Sequence, residues 1–173
     1  MRIENKRFIL RDFTIDDMSA YCDMKESNHY RRRYDDNDYT LEKASLLAES
    51  YNASFEEPMK KFVLALINAK THRFIGICEL TIEDNDEAVI EHILRTETGV
   101  AEIATEAFAQ LTNYAFRKMG VKCIYSSVIE GNRIAQRVCT DSGMSLALKI
   151  IDNTFFKEKW WNTLVYQKYK MAA

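Results

Sequence analysis

Gly99-Val100-Ala101-Glu102-Ile103-Ala104-Thr105-Glu106-Ala107 decides the fold, because it marks the passage from a strand into a long helix. It sits within residues 90–144, which read in order as strand, turn, long helix, strand, short turn and helix, with glycine or asparagine at nearly every joint. Ile103, Ala107, Phe108, Leu111 and Ala115 recur at helical spacing, so residues 102–119 are predicted to form an amphipathic helix. Gly120 stands where a left-handed C-terminal cap belongs. Residues 121–129 alternate as a strand, Gly131-Asn132 opens a helix over 133–142, and Gly143 closes it.

The flanks supply the rest of a sheet. Residues 6–13 alternate around Phe8 and Leu10 as a first strand. Thr14 then acts as an N-cap before Ile15-Asp16-Asp17-Met18, and Met18, Tyr21 and Cys22 give that helix its apolar side. Leu41, Ala44, Leu47 and Tyr51 predict a second helix over 41–54. Strands over 61–67 and 73–82 are joined by a polar segment of hairpin length, and 88–94 follows an acidic turn. The tail adds strands near 145–151 and 161–169. The order β-α-α-β-β-β-α-β-α-β-β places the chain in the α/β (α+β) class, with helices packed on a sheet.

At 173 residues, 47% apolar and 29% charged, the chain suits one soluble domain over 1–173. A net charge of −2 gives no broad attraction to nucleic acid or membrane. Arg31-Arg32-Arg33 is cancelled by Asp35, Asp36 and Asp38 and reads as a solvated loop. No apolar run spans a bilayer, and Met1-Arg2-Ile3-Glu4 starts no signal peptide. Cys22, Cys78, Cys123 and Cys139 are scattered, as are His29, His72 and His92, so no metal-ligand spacing is expected. A reducing cytoplasm is the corresponding expectation, with the cysteines serving as small core residues.

In this order the segments resemble the GNAT superfamily of N-acetyltransferases, especially the branch that acetylates ribosomal-protein N-termini. The similarity rests on Leu10-Arg11 before Asp16-Asp17, on Gly76 in a central strand, and on Ala104-Thr105-Glu106-Ala107 in the first turns of the long helix. Asn132 and Gly143 add the family's asparagine-to-glycine spacing, and Asn162-Thr163-Leu164-Val165-Tyr166 its last strand. The resemblance implies a mixed, mostly antiparallel sheet of about six or seven strands, flanked by about four helices. It also implies that strands 88–94 and 121–129 splay apart to admit acetyl-CoA, the acyl-donor substrate. The pantetheine arm would bond along the first strand near Ile93. The pyrophosphate would lie on the helix N-terminus formed by Gly99, Val100, Ala101, Ile103, Ala104 and Thr105.

The chain departs from that family at this turn. Glycine is usual at the positions of Val100 and Glu102. A β-branched residue resists positive φ and crowds a phosphate, and a carboxylate repels one, unless Glu102 simply caps the helix dipole toward solvent. Gly99 can serve as the phosphate glycine if the turn is shifted by a residue.

Acetyl transfer to an amine needs a base for the ammonium and an acid for the thiolate. The resemblance points to Glu91 and His92 for the base; strand alternation turns them to opposite faces, so at most one meets the acceptor. The acid position of many relatives is Cys139 here, and the serine of the ribosomal branch is Ala135, leaving Ser126, Ser127 and Tyr125 as substitutes. Each candidate also has a plain reading, as a sheet histidine, a solvated strand carboxylate or a core cysteine. Asn132 is a helix cap beside the coenzyme arm. Phe155-Phe156 and Trp160-Trp161 read as hairpin filling, or as an acceptor wall or a homodimer face. The implied partners are acetyl-CoA and a primary amine. The competing expectation is a degenerate member that senses acyl-CoA or binds a protein, motivated by Val100, Glu102, Ala135 and Cys139.

Overall fold

Period-two alternation, interrupted by polar turns, builds an eight-stranded sheet in the computed structural model, which describes residues 1–26, 60–156 and 158–172. The predicted helix over 41–54 and the charged run at 31–38 lie outside the described residues. The strands are β1 (Arg2–Glu4), β2 (Phe8–Asp12), β3 (Lys61–Asn68), β4 (Phe74–Ile82), β5 (Glu87–Leu94), β6 (Cys123–Ile129), β7 (Ser145–Phe156) and β8 (Lys159–Tyr169). The described helices are α1 (Met18–Glu26), α2 (Val100–Lys118) and α3 (Arg133–Asp141). Spatial order is β1-β2-β3-β4-β5-β6-β8-β7. Neighbours are antiparallel except β5 and β6, which α2 joins by a crossover and which therefore run parallel.

The two sheet faces bury different clusters. Leu10, Leu64, Cys78, Leu80, Ile90 and Leu94 meet Ala104, Ala107, Phe108, Leu111 and Ala115 of α2. The opposite face gathers Val63, Ala65, Phe74 and Ile77 against Tyr21, Cys22 and Met24 of α1. Gly120, at φ 75°, ends α2 in the left-handed region open to glycine.

The strand-end arginine and the acidic cap form one unit. Arg11 donates from Nη1 and Nη2 to the two carboxylate oxygens of Asp17 at 2.7 and 2.9 Å. The Thr14 N–H donates to the same carboxylate at 2.9 Å, the reciprocal half of a capping box. Burial alone would raise the Asp17 carboxyl, but the Arg11 and Thr14 hydrogen bonds prevail and hold it below its ordinary value.

The final hairpin is longer than predicted. β7 continues through Asp152, at φ 47°, because a register shift between Ile150 and Thr154 absorbs the irregular residues. Phe155 and Trp160 are not core: their rings meet edge to face at 5.3 Å and remain exposed. Trp161 turns inward and covers Gly131.

Candidate active site

Only one end of the parallel pair is closed. β5 and β6 pair at Glu87–Cys123, Ala88–Ile124 and Val89–Tyr125, and beyond these residues they separate. Backbone groups of successive strand residues point to alternate neighbours. Glu87 C=O accepts from Glu83 N–H at 2.8 Å, and Arg95 N–H donates to Ile75 C=O at 2.9 Å, both on the β4 side. In that register Glu91 and Ile93 also bond toward β4, while the Ile90 C=O and the N–H and C=O groups of His92 and Leu94 point into the gap, the Ile90 N–H closing the last bridge to Tyr125. The Ile93 backbone is therefore committed to β4, and the edge open to an extended ligand belongs to its neighbours. Ile93 still borders the cleft, and it packs against the α1-face cluster.

The gap holds a cleft of about 230 Å³ whose lining includes Glu79, Glu91, His92, Ser126, Asn132 and Ala135. Alternation sorts these residues by face. His92 lies between Ile90 and Leu94 on the α2 face and meets Phe108 edge to face at 5.2 Å. Ser126, between Ile124 and Val128, shares that face. Glu91 lies on the α1 face, directly opposite Glu79 of β4. Lys61 Nζ stands 3.4 Å from the Glu79 carboxylate, which is 17% exposed, whereas Glu91 is exposed. Like charges facing each other across neighbouring strands repel, so this pair favours an approaching cation. Glu79 escapes a reading of the sequence because its partner depends on register.

The α2 N-terminus opens on the same face as His92. Gly99 takes φ 84°, so glycine supplies the left-handed residue and neither Val100 nor Glu102 has to. Val100 is the first helical residue, and its side chain is buried in the core, not against the turn. Val100 N–H donates to Glu97 C=O at 3.3 Å and Ile103 N–H to Gly99 C=O at 3.5 Å. The Ala101 and Glu102 N–H groups have no acceptor among the described residues. Ala104 packs inward, and Thr105 Oγ1 donates back to Ala101 C=O at 2.8 Å. Glu102 reaches toward Arg137 of α3 at 3.8 Å, an exposed and weak pairing. Asn132 caps α3, its Oδ1 accepting from Ala135 N–H at 3.2 Å.

Cys139 lies fully buried on α3 and outside the cleft lining. Burial pushes its thiol up to about 11, against a smaller opposing effect of a hydrogen bond with Ser126. Tyr125 donates to Glu87 at 3.3 Å near the closed end of the strand pair.

Residues 7–145 match the acetyltransferase (GNAT) domain family. The chain belongs to the GNAT family. Its fold is shared with solved acetyltransferases at low sequence identity. A ribosomal L7/L12 alpha-N-protein acetyltransferase in complex with coenzyme A superposes with a TM-score of 0.83 at 11% identity, covering 98% of each chain. The ribosomal-protein-S5-alanine acetyltransferase of Vibrio fischeri gives 0.81 at 14% identity, covering 98% of this chain and 96% of that one. A GNAT-family acetyltransferase from Bacillus anthracis gives 0.79 at 15% identity, covering 98% of each. No curated protein sequence matches this chain. The sheet has eight strands where six or seven were expected, because the short β1 joins its edge. No helix among the described residues is long and apolar enough to cross a membrane.

Within this GNAT domain, His92 is set apart by its environment. Both ring nitrogens are buried and have no hydrogen-bond partner among the described residues. Burial lowers its pKa from 6.5 to about 4, so the imidazole is neutral at neutral pH. An unfolded chain takes up this proton as pH falls through 6.5, and the folded chain does so only near 4. Stability is therefore expected to fall over that window, by on the order of 3 kcal/mol from this group. Urea unfolding at pH 7.5 and 4.5 checks this: His92→Phe should remove most of that difference relative to the native chain.

Proposed function

We propose that this GNAT domain transfers an acetyl group from acetyl-CoA to a primary amine that is held on the α1 face of the sheet. The observation that carries the reading is the strand gap beyond Val89, which has free helix N–H groups beside it on one face and paired carboxylates on the other. The residues present fit the coenzyme. The backbone edge from the Ile90 C=O through His92 and Leu94 suits an extended amide arm, and the Ala101 and Glu102 N–H groups suit a phosphate oxygen. Acetyl-CoA supplies an activated thioester, whose C–S bond breaks as the C–N bond forms.

The protein's part is positioning and proton management. Glu91 is exposed in the cleft and takes the ammonium proton, directly or through a water. Glu79 strengthens the attraction for a cationic acceptor. His92, neutral and on the other face, is a poor base for an ammonium. Ser126 also lines the donor face, and its hydroxyl can hydrogen-bond the departing thiolate, which takes its final proton from solvent. Cys139, at about 11, is a weaker acid than a thiol of ordinary pKa, about 8.5, and lies behind the cleft wall. The acceptor class that suits this arrangement is an unhindered amine, such as a protein N-terminus or a small-molecule amine, in a cytoplasmic setting.

Incubation with acetyl-CoA and a panel of peptides, polyamines and amino sugars tests the reading. Acetylated amine should appear by mass spectrometry together with released thiol. Coenzyme binding without transfer to any amine would favour the second reading, an acyl-CoA sensor or protein-binding module. One observation favours that second reading: Glu102 places a carboxylate beside the expected pyrophosphate. Under the enzyme reading, Glu102→Gln should tighten CoA binding by roughly two- to fivefold at low salt, with the gain shrinking at high salt. Calorimetry at two ionic strengths measures it.

A further inference from the structure

Buried polar groups are ordinarily hydrogen-bonded, and leaving one unmet is unfavourable. His92 leaves both ring nitrogens unmet among the described residues, yet it borders the cleft. Its backbone N–H and C=O also face the gap, where β6 no longer pairs. Unmet side-chain and unmet main-chain groups thus coincide at one residue. His92 stands three residues beyond the last paired position, Val89, about 10 Å along the strand. It also lies on the sheet face where the α2 N-terminus opens. A ligand anchored by phosphate at Ala101 and Glu102 and running toward the closed end of the gap passes this position. The neutral ring has one N–H to donate, and the Phe108 edge-to-face contact fixes its plane.

We propose that His92 is a donor-side binding residue, whose ring N–H donates a hydrogen bond to a carbonyl of the pantetheine arm while its backbone pairs with the same arm. The assignment rests on the coenzyme reading above and gives that site a side-chain contact of its own. It also separates the two neighbours on β5: Glu91 serves the acceptor and His92 the donor.

The test compares the native chain with His92→Phe, which keeps an aromatic ring against Phe108, and His92→Gln, which restores a donor. Calorimetry is run with CoA and with adenosine 3′,5′-bisphosphate, which lacks the arm. His92→Phe should weaken CoA binding roughly five- to tenfold. It should leave the bisphosphate unchanged, and His92→Gln should recover part of the loss. The free His92→Phe protein should melt at or above the native temperature, because unmet polar atoms have been removed. Unchanged CoA affinity in His92→Phe, or equal loss for CoA and bisphosphate, overturns the proposal. A lower melting temperature of the free variant does so too, since it would show the ring already satisfied internally. Native protein that binds neither ligand would instead remove the coenzyme reading on which the proposal rests.

Discussion

Replacing Glu91 with glutamine is expected to lower kcat/KM for amine acetylation by about two to four orders of magnitude, the usual contribution of a positioned general base. The side chain keeps its shape and hydrogen-bonding capacity but loses the ability to accept a proton at neutral pH. Coenzyme binding should be unchanged, because Glu91 faces α1 while the donor groups lie on the α2 face. Glu79→Gln should cost less, since Lys61 stands 3.4 Å from that carboxylate and already attenuates its field. Raising the pH toward the acceptor's own pKa should partly rescue Glu91→Gln, because more of the amine then arrives deprotonated. Equal activity of Glu91→Gln and the native enzyme across the pH range would remove Glu91 from the mechanism.

The second large effect is on stability. A Cβ added at Gly76 would lie 2.4 Å from the Ile93 carbonyl oxygen, 2.9 Å from Leu94 Cδ2 and 3.1 Å from Leu94 Cα. Two of these neighbours are backbone of β5, so no rotamer change relieves them. Gly76→Ala is expected to cost about 1–3 kcal/mol, as for other overpacked sites. That corresponds to a melting temperature lower by roughly 2–12 °C. Because β5 carries one edge of the cleft, CoA binding should weaken as well. Pairing Gly76→Ala with Leu94→Val should recover little stability, since the carbonyl contact persists. Full recovery would show that the side-chain contact alone keeps this position small.

The sheet was largely legible because its periodicity is clean. Alternation at 61–67, 73–82 and 88–94 and the helical spacing after Ile103 came within a residue or two of the observed elements. What failed was local. β1 has three residues, two of them charged, and shows too little alternation to register. Asp152-Asn153 looks like a strand end, yet a bulge carries β7 through it. The most consequential miss was the start of α2, at Val100 where 102 was expected. That shift converts Val100 from a turn residue crowding a phosphate into a helical residue buried in the core.

The site was less legible than the fold because it depends on relations across strands. Alternation separates Glu91 from His92, but only register places Glu79 opposite Glu91. Helix packing, not spacing, puts Cys139 outside the cleft and leaves Ser126 on its wall. The direction of backbone groups on β5 gives Ile93 to β4 and turns those of His92 and Leu94 into the gap, a parity that sequence does not encode.

The central claim is that the gap and the α2 N-terminus together receive acetyl-CoA despite Glu102. Calorimetric titration with acetyl-CoA and with free CoA, at low and moderate salt, tests it most directly. Saturable binding of both that weakens as salt rises is the predicted result, since phosphate contacts at Ala101 and Glu102 N–H groups would be screened. Absence of binding at either salt concentration would contradict the account, and would mean that the Glu102 carboxylate has closed the anion site.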